Sequence, residues 1–117
     1  MVRVTDRFDE ACRFYGDVLG WPVTKEWTDG GRGRIFGFGD SARVELLEGT
    51  PEPVSGLFVS AEVSDLEEIL GRLRADAVRL DQEPEVQPWG HRNLALTDPT
   101  GIKLVLFQVL PATPDQP

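Results

Sequence analysis

Apolar residues along this chain fall into two patterns, repeated half a chain apart. "VTD" at residues 4–6 precedes Phe8, Cys12, Tyr15 and Leu19, and "VSD" at residues 63–65 precedes Leu66, Ile69, Leu70 and Leu73. Apolar side chains three and four apart share one face of a helix, so each stretch predicts an amphipathic helix. Asp6 is placed to cap the first, and Gly20 and Pro22 to end it. Asp65 and Glu68 form a capping-box-like pair at the second. A short strand precedes each helix. Three more follow, at 23–27, 34–38 and 43–47 in the first half, and near 78–80, at 93–97 and at 102–109 in the second. Polar or Gly- and Pro-rich segments at 28–33 and 81–88 read as loops. The plan is βαβββ, twice.

Register can be assigned to both hairpins. "DPTG" at 98–101 suits a type I turn with a left-handed glycine. That turn puts Leu94, Leu96, Ile102, Leu104 and Leu106 on one face. Asn93, Ala95, Thr97, Lys103, Val105 and Phe107 fall on the other, with His91 continuing it. In the first half, a two-residue turn at Asp40 and Ser41 pairs Phe38 with Arg43 and Phe36 with Glu45. It sends Ile35, Val44 and Leu46 to the helix side. Each half-sheet thus has an aliphatic face for its helix and a mixed aromatic and polar face away from it. Such a face covers a partner subunit or lines a binding cavity.

Composition narrows the class. A length of 117 residues predicts one domain over 1–110, with modules at about 1–50 and 56–110 and a Pro-rich disordered tail at 111–117. The single Cys12 excludes an internal disulfide and a multi-cysteine metal site, and reads as a buried apolar thiol. A net charge of −8 argues against binding nucleic acid. An acidic surface attracts cationic small molecules, or serves solubility alone. No apolar run is long enough to span a membrane and no signal-like segment opens the chain, so a cytoplasmic location is expected.

"RFYGDVLGW" (13–21) and "LTDPTGIKLVLF" (96–107) resemble the first-helix motif and last hairpin of the vicinal oxygen chelate superfamily, which includes glyoxalase I, extradiol dioxygenases and bleomycin-resistance proteins. The likeness runs from about Val2 to Val109. It implies an α+β fold of two βαβββ modules, each a curved mixed sheet with a helix on its outer face. It also implies a divalent metal held by four strand positions. Glu45 in "RVELLEG" matches the first-module carboxylate. Val105 stands at the second-module carboxylate position and Phe58 at the second-module histidine position, while the remaining position falls before Met1. One carboxylate cannot replace the water shell of a divalent ion, so neither a metal nor another cofactor is expected.

The expected ligand site is therefore Phe36, Phe38, Glu45, Phe58, Trp89, His91, Asn93, Val105 and Phe107, with "PWGHR" (88–92) as its rim. Rings for stacking with few polar anchors suit a hydrophobic or aromatic small molecule, a cationic one included. His91 has three readings: a pocket hydrogen-bonding group, a tie for the loop, or an acid or base. Glu45 is a binding anchor or pairs with Arg43 or Arg92. Trp21 and Trp27 read as core or interface. The leading function is drug binding and sequestration of the bleomycin-resistance type, in a homodimer without membrane or nucleic-acid partners. The alternatives are a glyoxalase-like lyase or dioxygenase, a metal-free enzyme with Glu45 or His91 as base, and an interaction module whose aromatic face only makes the dimer.

Overall fold

The computed structural model describes residues 1–39 and 42–112, with the side chain of Phe38 outside that set. The expected turn at Asp40 and Ser41, and the tail from residue 113 onward, lie outside the described residues. Two units separate, one of residues 1–55 with 98–101, the other of 56–97 with the chain from 102. Both are α+β, each a four-stranded mixed sheet with one helix.

In the first unit β1 (Val2–Thr5) leads to α1 (Phe8–Arg13), then to β2 (Val23–Trp27), β3 (Gly33–Phe38) and β4 (Ala42–Glu48). The strand order is β1-β4-β3-β2, with β1 parallel to β4 and the other pairs antiparallel. Helix α1 runs on into a π-helical turn, Phe14–Val18, where the Leu19 amide donates five residues back to the Phe14 carbonyl at 2.9 Å. The wider turn lets Phe14 and Val18 bury beside Tyr15 and Leu19, two positions beyond those the helical spacing picked out. Gly20 ends it with φ +77°, as expected. Asp6 does not cap this helix. The helix begins at Phe8, so Arg7 holds the cap position, without a side-chain bond, and the Arg7 amide donates instead to the Thr5 hydroxyl at 2.9 Å.

The second unit holds β5 (Phe58–Glu62), α2 (Leu66–Ala75), β6 (Leu80–Val86), β7 (His91–Thr97) and β8 (Lys103–Val109), ordered β5-β8-β7-β6. The Asp65 carboxylate accepts from the Glu68 amide at 3.2 Å, as its sequence position predicts. The Gln108 side chain on β8 accepts from the Leu66 amide at 2.9 Å. Leu66, Leu70 and Leu73 bury with Ala61, Leu94, Leu96, Ile102, Leu104 and Leu106. Strand β6 corrects the expected loop at 81–88. It contains Pro84, which has no N–H to give a ladder, but it is an edge strand with two register shifts, where proline is tolerated.

A further correction concerns the first hairpin. Phe38 pairs with Ala42, Phe36 with Val44 and Ile35 with Glu45, one residue away from the expected register. Side chains alternate with period two, so this single step exchanges the faces. Phe36 joins Val44 and Leu46 against the helix and is wholly buried, its ring 3.1 Å from where a Cβ on Gly16 would lie and 6.1 Å from the Tyr15 ring. Ile35 moves to the open face with Glu45.

A buried polar knot completes the first unit. The Tyr15 hydroxyl, 0% exposed, donates to Asp98 Oδ2 at 2.5 Å. Asp98 Oδ1 accepts from the Thr100 amide at 2.8 Å and its hydroxyl at 2.7 Å, and Arg3 donates to the Thr100 carbonyl at 2.7 Å. Burial first, then the Asp98 charge, push the Tyr15 phenol far above its ordinary pKa, so it stays a donor. Gly101 closes this turn at φ +90° as expected, its amide on the Asp98 carbonyl at 3.0 Å.

The placement of Phe36 is checked by unfolding. Phe36→Ala should cost about 3–5 kcal/mol in urea denaturation, the range for emptying a packed aromatic site. A loss under about 1 kcal/mol would return Phe36 to the open face.

Candidate functional site

The open face of the second sheet carries most of the expected site, in the register its turn predicts. Cross-strand partners on that face are His91 with Val109, Asn93 with Phe107 and Ala95 with Val105 on β7 and β8. On β5, Phe58 pairs with Lys103, Ser60 with Val105 and Glu62 with Phe107. The His91 imidazole stacks on the Phe107 ring, with centroids 4.5 Å apart and planes 15° apart. Trp89 stands edge-on to His91 at 6.5 Å and 78°, and is 64% exposed. Phe58 is equally exposed. Beside the rings, Asn93 Oδ1 accepts from Gln82 Nε2 at 2.8 Å and from Gln87 Nε2 at 3.0 Å.

Backbone bonds hold the "PWGHR" turn. Gly90, at φ +86°, donates to the Gln87 carbonyl at 3.1 Å; Gln87 donates to the His91 carbonyl at 2.6 Å; Leu110 donates to the Gly90 carbonyl at 2.9 Å. The imidazole has no part in these bonds and meets the turn through its ring contact with Trp89. Arg92 pairs with Glu67 on α2 and not with Glu45.

The first sheet contributes differently from the expectation. Phe36 is core and leaves the site. Phe38 holds a strand position opposite Ala42, and its side chain lies outside the described residues. Glu45 is half-buried on the open face, opposite Val2 and Ile35, and its amide donates to the Met1 carbonyl at 2.8 Å. Arg43 donates to the Ala42 carbonyl at 2.9 Å.

Trp27, read from the sequence as core or interface, is half-buried on β2. Its indole lies across Gly33, where a Cβ would come within 2.1 Å of the ring. The Lys25 ammonium sits 5.9 Å from the Trp27 centroid. A cavity of about 380 Å³ borders the ring, with Phe8, Glu26 and Arg32 among its walls. The sequence signal for this contact was Gly33 itself: a glycine opposite an aromatic residue marks a close approach, but inside "DGGRG" it read as loop. Arg32 lies 4.7 Å over Phe8 and pairs with Asp9 at 2.8 Å and Glu48 at 2.5 Å. Its guanidinium holds both carboxyls below the usual carboxylate range, chiefly through these hydrogen bonds, which in turn raise its own pKa.

A divalent metal does not fit these residues. Among the described residues no three His, Cys, Asp or Glu side chains gather where an ion could be held. The partners of Glu45 across the strands are aliphatic, and the partners of Val105 are Ser60 and Ala95.

A family model described as the Glyoxalase/Bleomycin resistance protein/Dioxygenase superfamily matches residues 1–106. No curated protein matches the sequence. Among solved structures, a glyoxalase/bleomycin resistance protein/dioxygenase from Nocardioides is 25% identical at TM-score 0.68, over 100% of this chain and 86% of that one. TioX from Micromonospora sp. ML1 is 22% identical at TM-score 0.77, over 94% and 96% of the two chains. A lactoylglutathione lyase from Agrobacterium tumefaciens is 18% identical at TM-score 0.70, over 92% and 90%. The last two likenesses establish the fold alone.

Gly33→Ala should lift the Trp27 ring off the strand. The expected outcome is a red-shifted tryptophan emission and faster acrylamide quenching than wild type, both absent in a Trp27→Phe background. An unchanged spectrum in Gly33→Ala would show that the indole does not rest there.

Proposed function

The chain belongs to the Glyoxalase/Bleomycin resistance protein/Dioxygenase superfamily, and from that premise we propose that it binds and sequesters a planar, aromatic small molecule on the open face of its second sheet. The observation that carries this reading is the ring array: His91 stacked on Phe107 on the face turned away from α2, with Trp89 edge-on to His91 and largely exposed in the turn before β7. Exposed aromatic groups on a sheet face offer large area and favourable ring geometry to a flat ligand. The imidazole nitrogens make no hydrogen bond within the described residues, so they are available to a ligand. Glu62 opposite Phe107 and Glu85 opposite Asn93 place carboxylates on the same face, which favours a cationic ligand. This chemistry supports the bleomycin-resistance type of function, binding without turnover and without a metal.

Binding is tested by ligand screening followed by mass spectrometry of the bound compound. Recovery unchanged supports sequestration, and conversion that depends on His91 or Glu45 would establish a metal-free enzyme instead. Trp89→Ala should weaken binding by about 2–4 kcal/mol, as for an aromatic hot spot. His91→Ala should cost about 1 kcal/mol, one hydrogen bond. Normal binding in Trp89→Ala with all function lost in His91→Ala would overturn the stacking account.

Self-association is part of the proposal. Edge strands β1 and β5 expose Val2, Val4 and Phe58, and an uncovered apolar edge is a template for pairing. Analytical ultracentrifugation at micromolar concentration should give a dimer, and a compact monomer would remove this element of the proposal.

A further inference from the structure

We propose that Asn93 is the specificity-determining donor of the second sheet's open face, selecting aromatic ligands that carry a carbonyl or another neutral hydrogen-bond acceptor; this rests on the aromatic-binding reading above. A side-chain amide has an oxygen with two lone pairs and a nitrogen with two hydrogens. Both lone pairs of Asn93 Oδ1 are engaged, by Gln82 Nε2 at 2.8 Å and Gln87 Nε2 at 3.0 Å. The two donors come from different places, Gln82 from β6 and Gln87 from the turn before β7, so the amide is anchored at two separate points. Turned over, it would face two amino groups with an amino group of its own. Asn93 Nδ2 makes no hydrogen bond within the described residues, and its two hydrogens are left for a ligand.

Position puts this donor beside the rings. Asn93 is the cross-strand partner of Phe107 and lies two residues from His91 on the same face. Such partners have Cβ atoms about 4.5–5.5 Å apart, so a ring seated against the array brings its rim within reach of Nδ2. A ligand that covers Asn93 without offering an acceptor leaves a desolvated N–H unpaired, and sites of this kind reject analogues lacking the matching group. Gln82 and Gln87 are positioning residues: they hold Asn93 and act through it.

Equilibrium dialysis with 9-fluorenone and fluorene tests this, since the two are near-identical in shape and differ in a carbonyl against a methylene. Wild type should prefer fluorenone by about five- to tenfold, the worth of one hydrogen bond. Asn93→Ala should bring the ratio to about one, and Asn93→Asp, which replaces the donor with acceptors, to one or below. The Gln82→Ala/Gln87→Ala double variant should lower the ratio with Asn93 still present and its circular dichroism spectrum native, a change that a merely structural role would not produce. Equal wild-type affinity for both probes would overturn the donor assignment and leave aromatic binding standing. Failure of both probes to bind would overturn the aromatic reading and this inference with it.

Discussion

One helix can cover one face of a four-stranded sheet, and among the described residues each unit has one α-helix. Everything about the candidate site follows from that shortage. Strand residues alternate between faces, so each sheet presents as much surface away from its helix as toward it. On the covered side the chain supplies Leu, Val, Phe and Ala and buries them. On the uncovered side it places His91, Asn93, Val105 and Phe107 in the second sheet and Ile35, Glu45 and Leu47 in the first. These are neither core residues nor an ordinary charged surface. Their mixed character gives the proposed binding face of the second sheet area from its rings and direction from a few polar groups.

The polar groups that matter are fixed in pairs and triplets. In the first unit, Tyr15 and Thr100 satisfy Asp98, a buried carboxylate that would be costly alone. In the second, Gln82 and Gln87 satisfy the oxygen of Asn93, and its nitrogen makes no hydrogen bond among the described residues. The first arrangement closes on itself and is structural, while the second leaves a donor over. Hydrogen-bond accounting thus separates a polar group that holds the fold from one that can serve a ligand.

Legibility differed between the halves for a local reason. In the second hairpin, "DPTG" specifies its turn by side-chain chemistry: proline fixes one φ, and Gly101 takes a left-handed conformation. Register followed, and with it the faces of His91, Asn93, Val105 and Phe107. In the first hairpin Gly39, Asp40 and Ser41 permit both a two- and a three-residue connection. The observed pairing of Phe38 with Ala42 stands one residue from the register that the shorter connection predicts. One residue moved Phe36 from expected ligand contact to the floor under Tyr15 and Gly16. Likewise Pro84 disguised an edge strand as a loop, because proline's missing donor matters only where a neighbour strand would use it.

The sequence alone determined the repeated βαβββ order, the helix faces, the cap at Asp65 and the glycine turn at Gly101. All are short-range consequences of side-chain spacing, backbone preference and donor chemistry. Tertiary structure decided the rest: Phe36 as core, Trp27 across Gly33, Tyr15 on Asp98, and the two glutamines on Asn93. Each joins residues whose meeting depends on strand register or on segments far apart in the chain. No local pattern encodes such a meeting, because its energy exists only once the backbones have already come together.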